Sequence, residues 1–240
     1  MLESDFLVLE WLEGVPLDKL ELGEEELRDV RRQVGALAAR LHAVRGASFG
    51  YPRPGSATWQ PTWRGAFLAM LGDLLADARA LASDLPRSPD DIEALVVAYA
   101  SVLDDVTEPA LVHFDLWDTN VFICPVEGRW TVEAVIDGER AFYGDPCAEL
   151  VSAAQLQELD VAADFLAGYG AERGEPFVLT ESVRRRHSLY RIYLLLVICI
   201  ESATRGFDDD PEHQPIRQRA REQLADGLDE LADCSTESWR

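Results

Sequence analysis

The sequence is poor in basic residues. Its 240 residues include 22 Lys and Arg against 44 Asp and Glu, which gives a net charge of −22 and a pI near 4.4. A field of this sign repels nucleic acid and anionic membrane surfaces, so we expect neither as a partner. It would attract a cationic small molecule, although acidic residues spread along a whole chain are also typical of a solvated surface that keeps a protein soluble.

Cysteine and long apolar runs are scarce as well. The four cysteines have no C-x-x-C spacing and no neighbouring histidine, as expected of free thiols in a reducing cytoplasm rather than of a disulfide framework or a metal site. The most apolar run, residues 192–200, is too short to span a bilayer. Glu3 and Asp5 stand where a secretory signal peptide carries basic residues. We therefore predict a cytoplasmic protein without a membrane partner.

The sequence does contain the material for a core. Hydrophobic residues make up 48% of the chain and aromatic residues 9%, as in a globular protein. Apolar periodicity predicts helices over residues 24–44, 62–83, 90–106, 147–157, 160–170, 182–205 and 213–232. β-prone runs predict strands at 6–12, 110–112, 121–124 and 130–136, of which the last two form a hairpin. The predicted fold class is mostly α (α+β).

The chemistry is concentrated in one loop and one strand end. Residues 113–120 read His-Phe-Asp-Leu-Trp-Asp-Thr-Asn, and the strand that returns from the hairpin leads to Asp137. Phosphoryl transfer from ATP needs a carboxylate near the acceptor hydroxyl and oxygen ligands for magnesium. Asp115 is the candidate base, and Asn120 and Asp137 are the candidate Mg²⁺ ligands. We expect His113 to fix the loop through hydrogen bonds of its ring.

Another carboxylate, Asp145, stands in the sequence Gly-Asp-Pro. It could be a buried support that holds the backbone of the catalytic loop. It could equally be the N-cap of the next helix, with Pro146 at the first helical position. Both interpretations give Asp145 a structural role.

These residues resemble the aminoglycoside phosphotransferase superfamily, a group of small-molecule kinases that share the protein-kinase fold. The matching segments are residues 37–44, 111–121 and 136–146. The resemblance implies transfer of the γ-phosphate of ATP or GTP, with Mg²⁺, to a hydroxyl of a small and amine-bearing molecule such as an aminoglycoside. The acceptor would lie between the catalytic loop and the predicted helices of residues 57–106 and 182–232.

Three residues of the loop refine this resemblance. Protein kinases have Lys or Arg where this chain has Trp117 and Thr119, which favours a small-molecule kinase. Phe114 is a departure, because the superfamily commonly has Gly there, and its bulk would shape the acceptor pocket. Sequences similar to fructosamine kinases also place Leu-Trp after the base, so a sugar-amine acceptor is an alternative.

The resemblance extends to the start of the chain. Residues 7–14 resemble the hinge between the two lobes of the superfamily, where the Glu10 carbonyl and the Leu12 N–H would bind adenine. An ordinary buried strand is the alternative interpretation of residues 6–14. With the hinge in this place, residues 1–14 are the remnant of the interlobe hinge strand. Residues 15–240 then form the helical C-terminal lobe.

The N-terminal lobe of the superfamily has no counterpart in this interpretation. Only five residues precede residue 6, and the one lysine, Lys19, follows the hinge, so no residue is a candidate for the lysine that binds the phosphates. A start codon placed too late or a genuine fragment would each account for this, and both predict little activity from these residues alone. The alternative is an independent, non-catalytic module that binds a small molecule or a partner.

Two further expectations concern ligands and partners. An apolar patch at Phe6, Leu7, Leu9, Trp11 and residues 121–123 is expected where the other lobe would pack, and a homodimer would cover it. The acidic run at residues 208–210, together with Glu201, could contact cationic groups of the acceptor, although a solvated loop is the plainer interpretation of that run.

Overall fold

The computed structural model describes residues 10–53, 55–154, 156, 157, 159–204 and 214–237. Several predicted features lie wholly or partly outside these residues. Among them are the strand at 6–12, of which only the last three residues are described, the first residues of the hinge at 7–14, the apolar patch at Phe6, Leu7 and Leu9, and the acidic run at 208–210.

Helices dominate the described residues, as the apolar periodicity predicted. They are α1 (Glu24–His42), α2 (Trp63–Leu81), α3 (Pro89–Tyr99), α4 (Leu150–Ala153), α5 (Ala163–Arg173), α6 (Glu181–Thr204) and α7 (Gln214–Glu237). The predicted helix over 90–106 is α3 followed by a 3-10 helix, Ala100–Asp105, and the one over 147–157 is a 3-10 turn, Pro146–Glu149, followed by the short α4. In the part of the chain that is described, none of these helices is both long and apolar enough to cross a membrane.

Local chemistry accounts for where several of these helices begin and end. The Thr62 side chain accepts the Gly65 N–H at the start of α2, and Ser88 accepts the Asp91 N–H at the start of α3. The helix α5 ends at Gly174, whose φ of 75° is the left-handed conformation that glycine adopts readily. Such signals are local in sequence, which is why helix boundaries could be predicted to within a few residues.

Two small antiparallel sheets complete the fold. The strands are β1 (Val15–Pro16), β2 (Ala110–Val112), β3 (Val121–Val126), β4 (Arg129–Val135) and β5 (Phe142–Gly144). The first sheet has the order β1-β3-β4 and contains the predicted hairpin, and the second pairs β2 with β5. The site lies where these two sheets meet, because the catalytic loop joins β2 to β3.

The prediction for the first strand was wrong in part. Residues 10–12 are not in a strand, and β1 begins only at Val15, where the following Pro16 pairs with Phe122. Proline is tolerated there because β1 is an edge strand, where one missing N–H breaks no ladder on the outer side. The strand β5 was not predicted, since its three residues show no periodicity of their own and pair with a strand some thirty residues away.

The described residues form two hydrophobic cores. The larger core contains residues of α2, α3, α6 and α7, with Trp63, Phe67 and Tyr190 among its largest fully buried side chains. The smaller core lies between α1, α5 and the first sheet and contains Val30, Ile123 and, at its α5 side, Phe165. The catalytic loop runs between these two cores.

Two glycines let α1 and α5 pack with their backbones in contact. A Cβ atom at Gly168 would overlap the carbonyl oxygen of Arg32, and one at Gly35 would overlap the carbonyl oxygen of Phe165. In both cases the obstacle is backbone, which cannot turn aside as a flexible side chain can. The smaller core therefore depends on the absence of side chains at these two positions.

We expect Gly168→Ala to lower the free energy of unfolding by about 2–3 kcal/mol, because the methyl group forces α1 and α5 apart. The matched control is Gly72→Ala, since Gly72 lies within α2 and a Cβ there would meet no atom within 4 Å. That change should stabilise the protein by about 0.5–1 kcal/mol through helix propensity. Urea unfolding followed by circular dichroism measures both, and equal effects of the two changes would contradict the packing argument.

Candidate functional site

The catalytic loop is anchored by side chains that point in opposite directions. It comprises residues 113–117 and the 3-10 turn Asp118–Asn120, between β2 and β3. Phe114 belongs to the larger core and Leu116 to the smaller one, and each is only 1% exposed. Asp115, between them, is therefore held from both sides.

The backbone of the loop is held by Glu149, a residue that the sequence analysis missed. Its two carboxylate oxygens accept the N–H groups of His113 and Phe114, each at 2.8 Å, and Glu149 is fully buried. The Ser152 hydroxyl accepts the N–H of Leu116 at 3.0 Å. Three N–H groups of the loop are thus satisfied by the segment that contains α4, which positions the loop without using its side chains.

Asp145 does not hold the loop, so one of its two predicted roles is wrong. It is the N-cap of the Pro146–Glu149 turn and accepts the Cys147 N–H at 3.0 Å, as the other interpretation predicted. Its second oxygen accepts hydrogen bonds from Arg186 Nε and the Tyr190 hydroxyl, both at 2.7 Å. Asp145 therefore fastens the turn to α6, while Glu149, at the end of the same turn, reaches the loop.

The ring of His113 does not act as we predicted. Its Nδ1 atom is buried and has no hydrogen-bond partner among the described residues. His113 is fixed instead by its backbone, through the bond to Glu149, and by burial of a ring that is 8% exposed.

Asp115 lies at the centre of a network of donors. One of its oxygens accepts from Trp117 Nε1 at 2.8 Å and from Arg140 Nη1 at 2.7 Å, and the other accepts from Asn120 Nδ2 at 2.9 Å. Burial raises the pKa of the Asp115 carboxyl above its ordinary value, and the nearby Asp137 raises it further. Arg140, Trp117 and Asn120 lower the pKa, but they do not outweigh burial.

Phe114 has an unusual backbone conformation for a bulky residue. Its φ is 63°, in the left-handed region where a side chain costs about 1–2 kcal/mol. The ring offsets part of that cost by packing against Phe142 and Tyr193, with centroid distances of 5.2 and 5.8 Å. This conformation is one that glycine adopts freely, which explains physically why the superfamily commonly has glycine at this position.

The base and both predicted metal ligands line one cavity of about 750 Å³, which we call the catalytic cavity. Asp137 is exposed and follows β4, with a φ of 65° that aims it away from the strand. The side chain of Asn120 uses its nitrogen for its hydrogen bonds to Asp115, so its oxygen is the atom suited to a cation. The remaining lining residues are Asp18, Trp117, Asp118, Thr119, Arg140, Leu156, Gln157, Ile198, Ile216, Arg219, Ala220 and Gln223.

This donor set fits magnesium bound together with phosphates. Mg²⁺ in nucleotide sites is held by one or two carboxylates, with water and phosphate oxygens completing its shell. Asp137 and Asn120 supply that small number of oxygen donors. The described residues contain no cluster of three or more His, Cys, Asp or Glu side chains that could hold a metal without such a ligand.

The predicted adenine-binding residues lie before β1, in a segment without regular secondary structure. Neither Glu10 nor Leu12 is among the residues that line the catalytic cavity. The backbone just after them is fixed, because Glu133 on β4 accepts the N–H groups of Glu13 and Gly14 at 3.1 and 2.6 Å. Trp11 is 83% exposed, as the predicted apolar patch requires. The patch was wrong at residues 121–123, because Val121 and Ile123 are fully buried in the smaller core.

Two other side chains of the site were missed in the sequence. Arg140 contacts the base directly, and Arg31 on α1 forms a two-pronged ion pair with Asp118 in the loop. Nothing in their local sequence marks them, since both contacts join distant segments. Glu149 did leave a signal, because it is the one charged residue within the otherwise small and apolar run of residues 146–154.

Comparisons with known proteins identify the family and the fold of the chain. The family described as "Phosphotransferase enzyme family" matches residues 2–190. A crystal structure of aminoglycoside phosphotransferase APH(4)-Ia, a thermostable mutant with AMP-PNP and hygromycin B, aligns with 94% of this chain and 70% of its own, at 20% identity and a TM-score of 0.55. A macrolide 2'-phosphotransferase type I aligns with 90% of this chain and 67% of its own, at 19% identity and a TM-score of 0.52.

At these identities the solved structures show a shared fold. The described part of the chain, mostly helical with small sheets, has the kinase-like fold of these phosphotransferases. A comparison with curated protein sequences finds no match.

We expect Glu149→Gln to lower the free energy of unfolding by about 1–3 kcal/mol, because the new amide nitrogen faces a backbone N–H and leaves a buried donor unsatisfied. Amide exchange at His113 and Phe114, followed by NMR, should become faster than in the parent protein. The matched control is Glu108→Gln at an exposed ion pair, which should stay within about 0.5 kcal/mol. Unchanged exchange at both amides would contradict the anchoring role of Glu149.

Proposed function

The chain belongs to the phosphotransferase enzyme family, and from this membership we propose that it transfers the γ-phosphoryl group of ATP or GTP to a hydroxyl of a small, amine-bearing molecule. The observation that carries the proposal is the meeting of Asp115, Asn120 and Asp137 in one cavity. An aminoglycoside is one acceptor of this kind, and the similar APH(4)-Ia structure contains hygromycin B and the nucleotide analogue AMP-PNP. A sugar amine is the alternative acceptor.

Asp115 acts as the base in this proposal. The acceptor hydroxyl donates a hydrogen bond to the Asp115 carboxylate and gives up its proton as the acceptor oxygen forms a bond to the γ-phosphorus. The bond between that phosphorus and the bridging oxygen of the nucleoside diphosphate breaks. The raised pKa of Asp115 makes its carboxylate a better proton acceptor than an exposed aspartate.

Asn120 and Asp137 would hold magnesium, which neutralises the charge of the phosphate oxygens when it is bound. Asn120 has a second task, because its side-chain nitrogen donates to both the Asp115 carboxylate and the Asp115 carbonyl oxygen. This contact orients the base toward the acceptor. Asp115 and Asn120 therefore act as one unit.

The nucleotide base would bind at the hinge. We assign residues 1–14 to the interlobe hinge and residues 15–240 to the helical C-terminal lobe, with adenine bound by the Glu10 carbonyl and the Leu12 N–H. The support for this assignment is the pair of hydrogen bonds by which Glu133 fixes the adjoining backbone at Glu13 and Gly14, since a fixed backbone can present hydrogen-bonding groups in a defined direction.

We expect Asp137→Ala to abolish magnesium-dependent binding of AMP-PNP. Of the two proposed magnesium ligands, Asn120 and Asp137, only Asp137 is a carboxylate. Asp115→Asn should keep that binding and lower turnover with hygromycin B by at least about 100-fold, the usual contribution of a general base. Calorimetry with and without EDTA measures the binding, and release of the nucleoside diphosphate measures turnover.

The matched control is Asp104→Asn, at an exposed ion pair with Arg64, which should alter neither quantity. If Asp137→Ala binds AMP-PNP as the parent protein does, the metal site is wrong. If nucleotide binds normally but no amine-bearing acceptor is phosphorylated, the non-catalytic module becomes the better description.

A further inference from the structure

Arg140 occupies a central position that the proposed reaction does not use. Its Nη1 donates to Asp115 at 2.7 Å, and its Nη2 donates to Glu201 on α6 at 2.6 Å. It also forms the wall between the catalytic cavity and a neighbouring side cavity of about 180 Å³. The polar and aromatic lining of the side cavity is Tyr51, Asp77, Phe114, Arg140, Tyr193 and Glu201.

The charges around Arg140 favour a cation at this place. Asp115 and Glu201 bind it directly, and Asp77 faces the same side cavity. The hydroxyls of Tyr51 and Tyr193 are 3.3 Å apart, and burial raises the pKa of both, so they add no negative charge at neutral pH. Removal of the guanidinium without replacement would leave the buried Asp115 carboxylate and the partly buried Glu201 carboxylate without the cation between them.

The fit of Arg140 is incomplete. Its Nε atom is buried and has no hydrogen-bond partner among the described residues. A buried donor without an acceptor is unfavourable, so the guanidinium gains less here than a fully bonded arginine would. Because Nε makes no hydrogen bond, a ligand that satisfies both carboxylates can displace the guanidinium at a smaller cost in free energy.

The two carboxylates are spaced for one compact ligand. Their bonded oxygens are joined by one guanidinium and two hydrogen bonds, a span of no more than about 8 Å. A hydroxyl and an ammonium on adjacent carbon atoms can take the places of the two terminal nitrogens. The hydroxyl would then contact Asp115, which is the contact that the reaction needs, and the ammonium would contact Glu201.

We propose that Arg140 is an internal competitor of the acceptor, which a vicinal amino alcohol displaces from Asp115 and Glu201. The inference rests on the function proposed above. It makes Arg140 and Glu201 the residues that select the acceptor: a ligand with only a hydroxyl replaces the guanidinium at Asp115 alone, and a ligand with only an ammonium replaces it at Glu201 alone. Neither ligand displaces the guanidinium efficiently.

Calorimetry with 2-deoxystreptamine, a ring that carries amino groups next to hydroxyls, tests the proposal without any nucleotide. A competitor that occupies its partners nine-tenths of the time weakens the apparent affinity tenfold, so we expect Arg140→Ala to lower the Kd at least about tenfold. Glu201→Gln should raise the Kd. The control Arg129→Ala, at an exposed ion pair with Asp29, changes the net charge equally and should leave the Kd unchanged.

Two further probes separate this competition from a general charge effect. Cyclohexylamine has the ammonium alone and myo-inositol has the hydroxyls alone, and neither should gain more than about twofold from Arg140→Ala. An equal gain for cyclohexylamine would overturn the proposal. A weaker, unchanged or undetectable binding of 2-deoxystreptamine by the Arg140→Ala protein would overturn it too, since Arg140 would then be a ligand of the acceptor or a structural residue.

Binding of AMP-PNP with magnesium distinguishes a failure of the competitor proposal from a failure of the proposed function. If Arg140→Ala binds this nucleotide normally but shows no gain for 2-deoxystreptamine, the competitor proposal fails and the proposed function stands. If the parent protein does not bind the nucleotide, the proposed function fails. A normal thermal transition and normal nucleotide binding show that the Arg140→Ala protein is folded.

Discussion

The site depends above all on one buried carboxylate, that of Glu149. It accepts two successive N–H groups of the catalytic loop, and Glu149 is fully buried. A buried charge is tolerated only where hydrogen bonds compensate it, so the loop and Glu149 stabilise each other. His42 Nε2 lies 3.4 Å from the same carboxylate, and His42 Nδ1 lies 3.0 Å from the Tyr169 hydroxyl, which connects the loop to α1 and α5.

Because of this anchoring, the side chain of Asp115 is not needed to hold the loop. Because the backbone is held by Glu149 and Ser152, the Asp115 carboxylate can be shared among Trp117, Asn120 and Arg140. The result is a buried carboxylate whose pKa is raised by burial while three donors still hold it in one orientation. A raised pKa and a fixed orientation of the carboxylate both favour proton transfer to a positioned side chain.

Much of this could be predicted from local sequence. The helices were found because apolar periodicity and capping residues lie within one segment, and Asp115, Asn120 and Asp137 were found because the loop and hairpin place them at characteristic spacings. The roles of His113 and Asp145 were predicted less well, because hydrogen-bond partners are chosen in three dimensions. The loop needed a buried acceptor, and Asp145 and Glu149 are only four residues apart in sequence.

The sequence by itself determined the family and the mostly helical fold, and it predicted Asp115 as the base and Asn120 and Asp137 as the magnesium ligands, since each prediction follows from residue types at short spacing. Only the tertiary structure showed that Glu149 holds the loop, that Phe114 takes a left-handed conformation and that Arg140 joins Asp115 to Glu201. These contacts join residues that are 25 to 61 positions apart or depend on one backbone angle. Local periodicity predicts neither these long-range contacts nor the backbone angle of Phe114, because both are decided by how the two cores pack.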